Sequence, residues 1–475
     1  MGIDLPRNKI RLLSSLYLFL VYIFGVLKFG AWSDDFWSLQ DPHAHFLHAV
    51  KDGRPIYGWS IEFLFSMFNT VESLKFIRLF GLVGLLLFSD AAIRFLLSKN
   101  LPYRVVVASL VAFTLPSFQL SVHWAIAFCM GWTGFLALQG LILWGRGGLR
   151  HKFFGLLLFT VSLLIYPLLS FFVFSILFAD LYLTSISRSE VYQRIKSVLP
   201  LLVLGALLSA SFSRFLLMFL NLEYNPRVQL ISLVQIPEKL IWFVTRPLLL
   251  SYRPFLIDSP STLIIGAQVL IFILIFVFLI SLTLRQWGKV IYFLLFLNAN
   301  LVVSLLPFLV TTENQIEVRF LSSNTWLVTF LLVNFMFSGL TSALKFDKES
   351  DARMVAVISC AALLFGAYTV NDRYVNFILP IEKVSRDFVA AEILNCSLSE
   401  LESGVEVVAR DTPWPSRKLL GMYSQVTDLA SEWVPLGAVS MVLMSDSFQS
   451  KPVGPIGWGK GSPSKCIVNL NRFSN

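Results

Sequence analysis

Two adjacent carboxylates, Asp34 and Asp35, are flanked by Trp32 on one side and Phe36-Trp37 on the other, directly after an apolar run over residues 10–29. An acidic pair capping a loop is the ordinary reading of such residues. Here, however, the aromatic neighbours hold the pair at the mouth of a membrane helix, where anions are costly unless they are used. Partial desolvation and mutual repulsion both raise a carboxylate's pKa towards the range of a general base. The stretch therefore reads as a catalytic loop, with Asp34 or Asp35 taking a proton from a poor nucleophile such as a hydroxyl. A short polar run then leads to Asp52-Gly53-Arg54-Pro55.

Arginines are the second group able to do chemistry. A planar guanidinium binds phosphate oxygens in pairs and keeps its charge, which suits a site where negative charge grows on a leaving group. Candidates are Arg54 in the first loop, Arg246 and Arg253 in a later one, and Arg319 in Glu317-Val318-Arg319-Phe320, where Glu317 is placed to orient it. Each could equally anchor the chain at lipid headgroups. His123-Trp124 falls at a short turn that could face the same cavity or sit in an aromatic belt. His43, His45 and His48 cluster after Asp41-Pro42, but their spacing matches no standard metal site, so a solvated face is expected and no metal or other cofactor is assigned.

The elements that must position these residues are set by composition. The 475 residues are 56% hydrophobic and only 14% charged, and the mean hydropathy is +0.72. That is too apolar for an ordinary soluble domain. The net charge of +9 is spread over short clusters between apolar runs, which marks topology rather than a nucleic-acid partner. No Gly-rich phosphate loop or nucleotide-binding domain is evident, which argues against a nucleotide-sugar donor or ATP-driven transport.

A transmembrane helix needs about 20 largely apolar residues. Candidate spans are 10–29, 76–97, 104–119, 125–144, 153–165, 167–183, 198–220, 262–284, 290–310, 323–344 and 353–370. Basic loops alternate with weakly charged ones, which predicts about eleven spans with the N-terminus cytoplasmic. Tyr166-Pro167 breaks the fifth and sixth into two short spans or one re-entrant hairpin. Asp90 and Arg94 stand four apart and so could pair on one helix face, a structural role.

The transmembrane domain is thus expected over 1–370, with external loops at 30–75 and 221–261. The stretch Trp59 to Phe68 is expected to lie in the interface. A polar tail, 371–475, reads as a small periplasmic α/β domain, with a strand at Val405 to Ala409 and a helix at Asp387 to Leu394. Cys396 and Cys466 are available there for a disulfide in an oxidising compartment.

The sequence Ser33-Asp34-Asp35-Phe36 after the first span, followed by Asp52-Gly53-Arg54-Pro55-Ile56 and many further spans, resembles the bacterial serotype-converting O-antigen glucosyltransferases of the GtrII type. These are polytopic glycosyltransferases of the GT-C class. The motifs cover mainly the first hundred residues; length and hydropathy carry the remainder. The resemblance implies an all-α GT-C-like fold in the bacterial inner membrane and transfer of a glucose from undecaprenyl phosphate on the periplasmic face. The acceptor it implies is a lipid-linked O-antigen or a related lipopolysaccharide or polysaccharide. In such enzymes an acid of the first external loop activates the acceptor, a role that falls here to Asp34 or Asp35. A GT-C enzyme with another sugar or acceptor is the nearest alternative. A lipid-linked glycan flippase is the alternative from another class, and it predicts internal repeats and charges midway through several spans.

Overall fold

The computed structural model describes residues 6–27, 35, 38–39, 41–98, 104–184, 188–248, 297–314, 318–344, 348–373, 395–397, 399, 405–408, 456–458 and 466–469. Over these the chain is mostly helical. Four helices are long and apolar enough to cross a membrane, or five if one bent pair is a single span. This is the architecture expected of an all-α membrane protein. Most backbone donors and acceptors are then paired within one segment, the condition for crossing lipid.

Helix α1 (Arg7–Leu27) is followed by two loop helices, α2 (Pro42–Lys51) and α3 (Pro55–Met67). The long α4 (Leu74–Leu97) comes next, then α5 (Arg104–Phe113) and α6 (Pro116–His123). Residues 104–119 are not the straight span expected from hydropathy: α5 and α6 meet at 59°, at a break just before Pro116. Proline removes a backbone donor and disfavours helix in the residue before it, which is enough to turn the axis.

A 3-10 turn (Ala125–Phe128) leads into α7 (Cys129–Gly145) and α8 (Leu149–Ile165). As expected, the helix stops at Tyr166, which is extended, and restarts at Pro167 as α9 (Pro167–Ser170), then α10 (Val173–Leu183). Helix α11 (Arg188–Phe219) begins ten residues earlier than the expected span at 198, because its basic first turns are helical too. A loop then carries α12 (Ile236–Phe243), and beyond it lie α13 (Leu306–Val310), α14 (Ser322–Leu344) and α15 (Lys348–Arg373). The expected span at 262–284, the start of that at 290–310, and the expected helix at 387–394 fall outside the described residues.

In the tail, β1 (Val405–Val408) lies between β2 (Ile456–Trp458) and β3 (Cys466–Asn469), paired in parallel with both. The strand expected at Val405 is thus present. Cys396 is disulfide-bonded, whereas Cys129 and Cys360 are not in disulfides.

Two contacts fix the helix bundle. Glycines let α4 and α7 touch backbone to backbone: a Cβ on Gly131 would meet the Leu85 nitrogen at 2.2 Å. Arg11 of α1 binds Asp90 of α4 through two hydrogen bonds of 2.7 Å each. This corrects the candidate Asp90–Arg94 pair, since Arg94 points outward and is exposed while Asp90 faces α1. Charges in the described spans lie towards helix ends. Asp180 near the end of α10 pairs with Arg194 in the first turns of α11, and buried Arg78 donates to the Val26 carbonyl at 3.2 Å, near the end of α1.

Below the first loop a second apolar cluster forms, distinct from that of the bundle. It joins Tyr57, Ile61 and Phe65 of α3 to Ile126, Tyr166 and Trp242. Segments distant in sequence are thereby brought to one end of the molecule.

Candidate functional site

The local sequence Asp52-Gly53-Arg54-Pro55 is a helix end and a helix start compressed into four residues. Asp52 is the C-cap of α2, and Gly53 takes φ +74°, a left-handed conformation that glycine adopts without strain. The Gly53 N–H donates to the Val50 carbonyl at 2.9 Å and the Arg54 N–H to that of Ala49 at 2.8 Å, the paired closure of a helix C-terminus. Pro55 then opens α3, where its missing N–H costs nothing. Glycine and proline are here for the turn. Their consequence is that Asp52 and Arg54 stand side by side and form an ion pair.

Arg54 is largely enclosed, its guanidinium 5.4 Å from the Tyr57 ring and 5.0 Å from that of Tyr166. Burial works against its charge, and Asp52 together with the Tyr166 and Tyr57 rings more than restores it, so the pKa is raised. Arg227, which lies 175 residues away in sequence, reaches the same carboxylate, with Nε donating to Asp52 Oδ1 at 3.1 Å and Nη2 to Oδ2. Arg227 Nη2 also stands 3.1 Å from His48 Nε2, and its Nε is 3.8 Å from Glu313. Burial would push the Asp52 carboxyl up. The charge of Arg54, then the hydrogen bond and charge of Arg227, outweigh this and bring it down to about 2.

Lys239 of α12 closes the far side. Its Nζ donates to the Glu313 carbonyl and to Asn314 Oδ1, and it lies 4.5 Å from the Trp242 ring. Burial, opposed by the carboxylates of Glu313 and Glu238, lowers its pKa to about 8. Three cations, Arg54, Arg227 and Lys239, thus stand among three carboxylates, Asp52, Glu313 and Glu238. The side chain of Arg227 is 37% exposed, so it has room for a further anionic oxygen.

The structure places the sequence candidates unevenly around this cluster. Asp35 is fully buried and accepts a hydrogen bond from the Ile126 N–H at 2.8 Å. Its link to the arginines is short, because Tyr57, which lies under Arg54, donates to the carbonyl of the same Ile126 at 3.1 Å. Asp34, Arg253 and Glu317 lie outside the described residues. Arg319 is in a 3-10 turn (Val318–Leu321) whose next residue, Phe320, stacks on Tyr166 at 6.2 Å. Arg246 is exposed on a π turn (Val244–Leu248) beyond α12.

His123 does not open towards the cluster. It is buried against α1, with its ring 6.1 Å from that of Tyr22 and so close to Gly25 that a Cβ there would lie 2.1 Å from Nε2. The three clustered histidines also depart from the expected solvated face. His43 and His45, two apart, point different ways around α2, whereas His45 and His48, three apart, share a side with their rings 6.4 Å apart. His43 binds Glu62 at 2.7 Å in solvent, His45 is buried with Nδ1 2.8 Å from Ser38 Oγ, and His48 joins the Arg227–Asp52 pair. Burial, then the charge of Arg54, lowers the His45 pKa to about 3. Among the described residues no group of three or more His, Cys, Asp or Glu is arranged to hold a metal ion.

Arg227, Lys239 and Glu313 carry no motif and were not singled out from sequence. Arg227 follows Pro226 in an irregular loop, and only the return of that loop to α2 gives it a role. No family model matches the chain, and neither a curated protein nor a solved structure matches it.

Proposed function

We propose that this chain is a membrane glycosyltransferase of the GT-C class. In this proposal it moves a hexose from a polyprenyl phosphate to O-antigen or a related surface polysaccharide on the periplasmic face of the bacterial inner membrane. About eleven spans and a small α/β tail domain complete the architecture. The observation that supports it is the convergence of the first loop and the loop of Arg227 and Lys239 on one end of the helices, with Arg54 and Arg227 sharing Asp52 there and Asp35 buried on the nearby Ile126 N–H.

The roles follow from placement. A sugar hydroxyl becomes a competent nucleophile when a positioned carboxylate takes its proton as the new bond forms. Asp35, buried and held by the Ile126 N–H, positions the loop, and its neighbour Asp34 takes the proton. As the bond from sugar to phosphate breaks, negative charge grows on the polyprenyl phosphate, and preorganised cations stabilise it. Arg227 has the exposure for that contact. Arg54 is committed to Asp52 and two tyrosine rings, so it orients Arg227 through their shared carboxylate. Arg319, near Tyr166 in the fold, is the second candidate for the phosphate.

The test is mass analysis of the surface polysaccharide from cells expressing wild type, Asp34→Asn or Asp35→Asn at equal membrane levels. Wild type is expected to add one hexose, and Asp34→Asn to lower the addition by about 100-fold or more. Hexose addition unchanged in both variants sinks the assignment of the loop. A wild type that adds nothing sinks the enzyme assignment.

A further inference from the structure

We propose that the segment from Leu230 to Arg246 docks on the lipid surface, at headgroup depth, on the side of the membrane that carries the candidate site. Its two faces differ. Lys239 and Trp242 point inward, where Lys239 binds the Glu313 carbonyl and Asn314, and Trp242 Nε1 donates to the Asn314 carbonyl at 2.7 Å. Leu240, Ile241 and Val244 occupy the opposite face of the helix and are exposed. Before the helix, Leu230, Leu233 and Val234 extend the same apolar surface, Val234 being 88% exposed.

The segment cannot roll this surface inward. Its start is pinned by backbone pairing, with the Ile231 N–H donating to the Val310 carbonyl at 3.1 Å and the Thr312 N–H to that of Gln229 at 2.9 Å. Ser232 and Gln235 form a capping box that fixes the turn into α12. A rigidly displayed row of six large apolar side chains is costly in water, at about 25 cal/mol per Å².

The occupant is lipid because the segment closely follows the end of a candidate membrane span, Ser189–Phe219. The last turns of α11, the helix that precedes this loop, expose Phe215, Met218 and Phe219. Exposed Glu238 in the first turn of α12 and exposed Arg246 beyond its end flank the patch. Charged groups at the rim of an apolar face suit an element that lies in the interface plane. The same backbone pairing links the patch to Arg227, which lies two residues before Gln229. Docking therefore sets the depth of the Asp52–Arg54–Arg227 cluster in the headgroup layer.

The experiment uses the full chain in phosphatidylethanolamine and phosphatidylglycerol vesicles, with Cys129→Ser and Cys360→Ser as background. A nitroxide is attached at Val234→Cys, at Ile241→Cys and, as a lipid-facing reference, at Met218→Cys. Collision with dissolved oxygen, which concentrates in lipid, is compared with collision with a water-soluble nickel chelate. Positions 234 and 241 are expected to favour oxygen several-fold, as position 218 does. Equal or greater access for the nickel chelate at both positions places the patch in water and overturns the proposal. Exclusion of both reagents means protein covers it, a second copy included, and overturns it as well. The readout involves no sugar transfer, so it stands or falls separately from the proposed activity.

Discussion

Two arginine–carboxylate arrangements in this protein differ in how their charges are counted. Between α10 and α11, fully buried Asp180 meets one cation, Arg194. At the loop cluster, one buried carboxylate, Asp52, is shared by Arg54 and Arg227, with Lys239 and Glu313 beside them. The first is a single contact that staples two helices through Asp180 Oδ2. The second draws two cations from separate loops onto one buried carboxylate and leaves Arg227 partly exposed. A carboxylate held by one cation across two helices reads as structure, whereas one shared by cations from separate loops reads as a site.

Removing one cation from each region tests this contrast most strongly. Arg194→Ala leaves Asp180 buried with neither oxygen paired, and loss of one partner from a buried pair costs about 3–5 kcal/mol. Arg227→Ala leaves Asp52 with Arg54, and is expected to cost about 1–3 kcal/mol. Thermal unfolding of the detergent-solubilised chain measures both. Equal losses would break the comparison, because they would mean that Arg227 is as structural as Arg194.

The pH dependence of the loop cluster is the next effect in size. Asp52 has its folded pKa lowered from 3.8 to about 2, so its contribution is present above 3.8 and lost as pH falls through about 2. His45 is lowered from 6.5 to about 3. Between those values the unfolded chain binds the proton and the folded chain does not, so stability falls as pH drops from 6.5 towards 3. His45→Gln should flatten the decline between pH 6.5 and 4 in a series of unfolding midpoints. A decline of undiminished slope in that variant would move its cause to another group.

The smallest effect sharpens the comparison from outside. His43 and Glu62 form a pair at 2.7 Å with side chains 63% and 35% exposed. Glu62→Gln is expected to change stability by about 1 kcal/mol or less. A larger loss in the same unfolding assay would show that the α2–α3 loop depends on its surface pair as well as on Asp52.

How much was legible in the sequence depended on how local the cause was. Tyr166-Pro167 breaks its helix as written, because proline acts on its own backbone and on the residue before it. Asp41 caps α2 through the Ala44 N–H, and Asp52-Gly53-Arg54-Pro55 closes one helix and opens the next, both within a few residues. Hydropathy located the apolar helices but missed the bend at Pro116 and the helical start of α11. The candidate Asp90–Arg94 pair failed for a different reason. Spacing says which residues share a helix face, and it does not say which face a neighbouring helix covers.

The candidate site divides in the same way. From the sequence alone came an acidic pair after the first apolar run, a chain too apolar for water, and Arg54 as a cation of the first loop, because each follows from composition or from residues close in sequence. Only the tertiary structure buried Asp35 on the Ile126 N–H, turned His123 into α1, and brought Arg227, Lys239 and Glu313 to Asp52. Those contacts join segments up to 175 residues apart. No local pattern encodes them, since each depends on which helix ends the packed bundle gathers at one place.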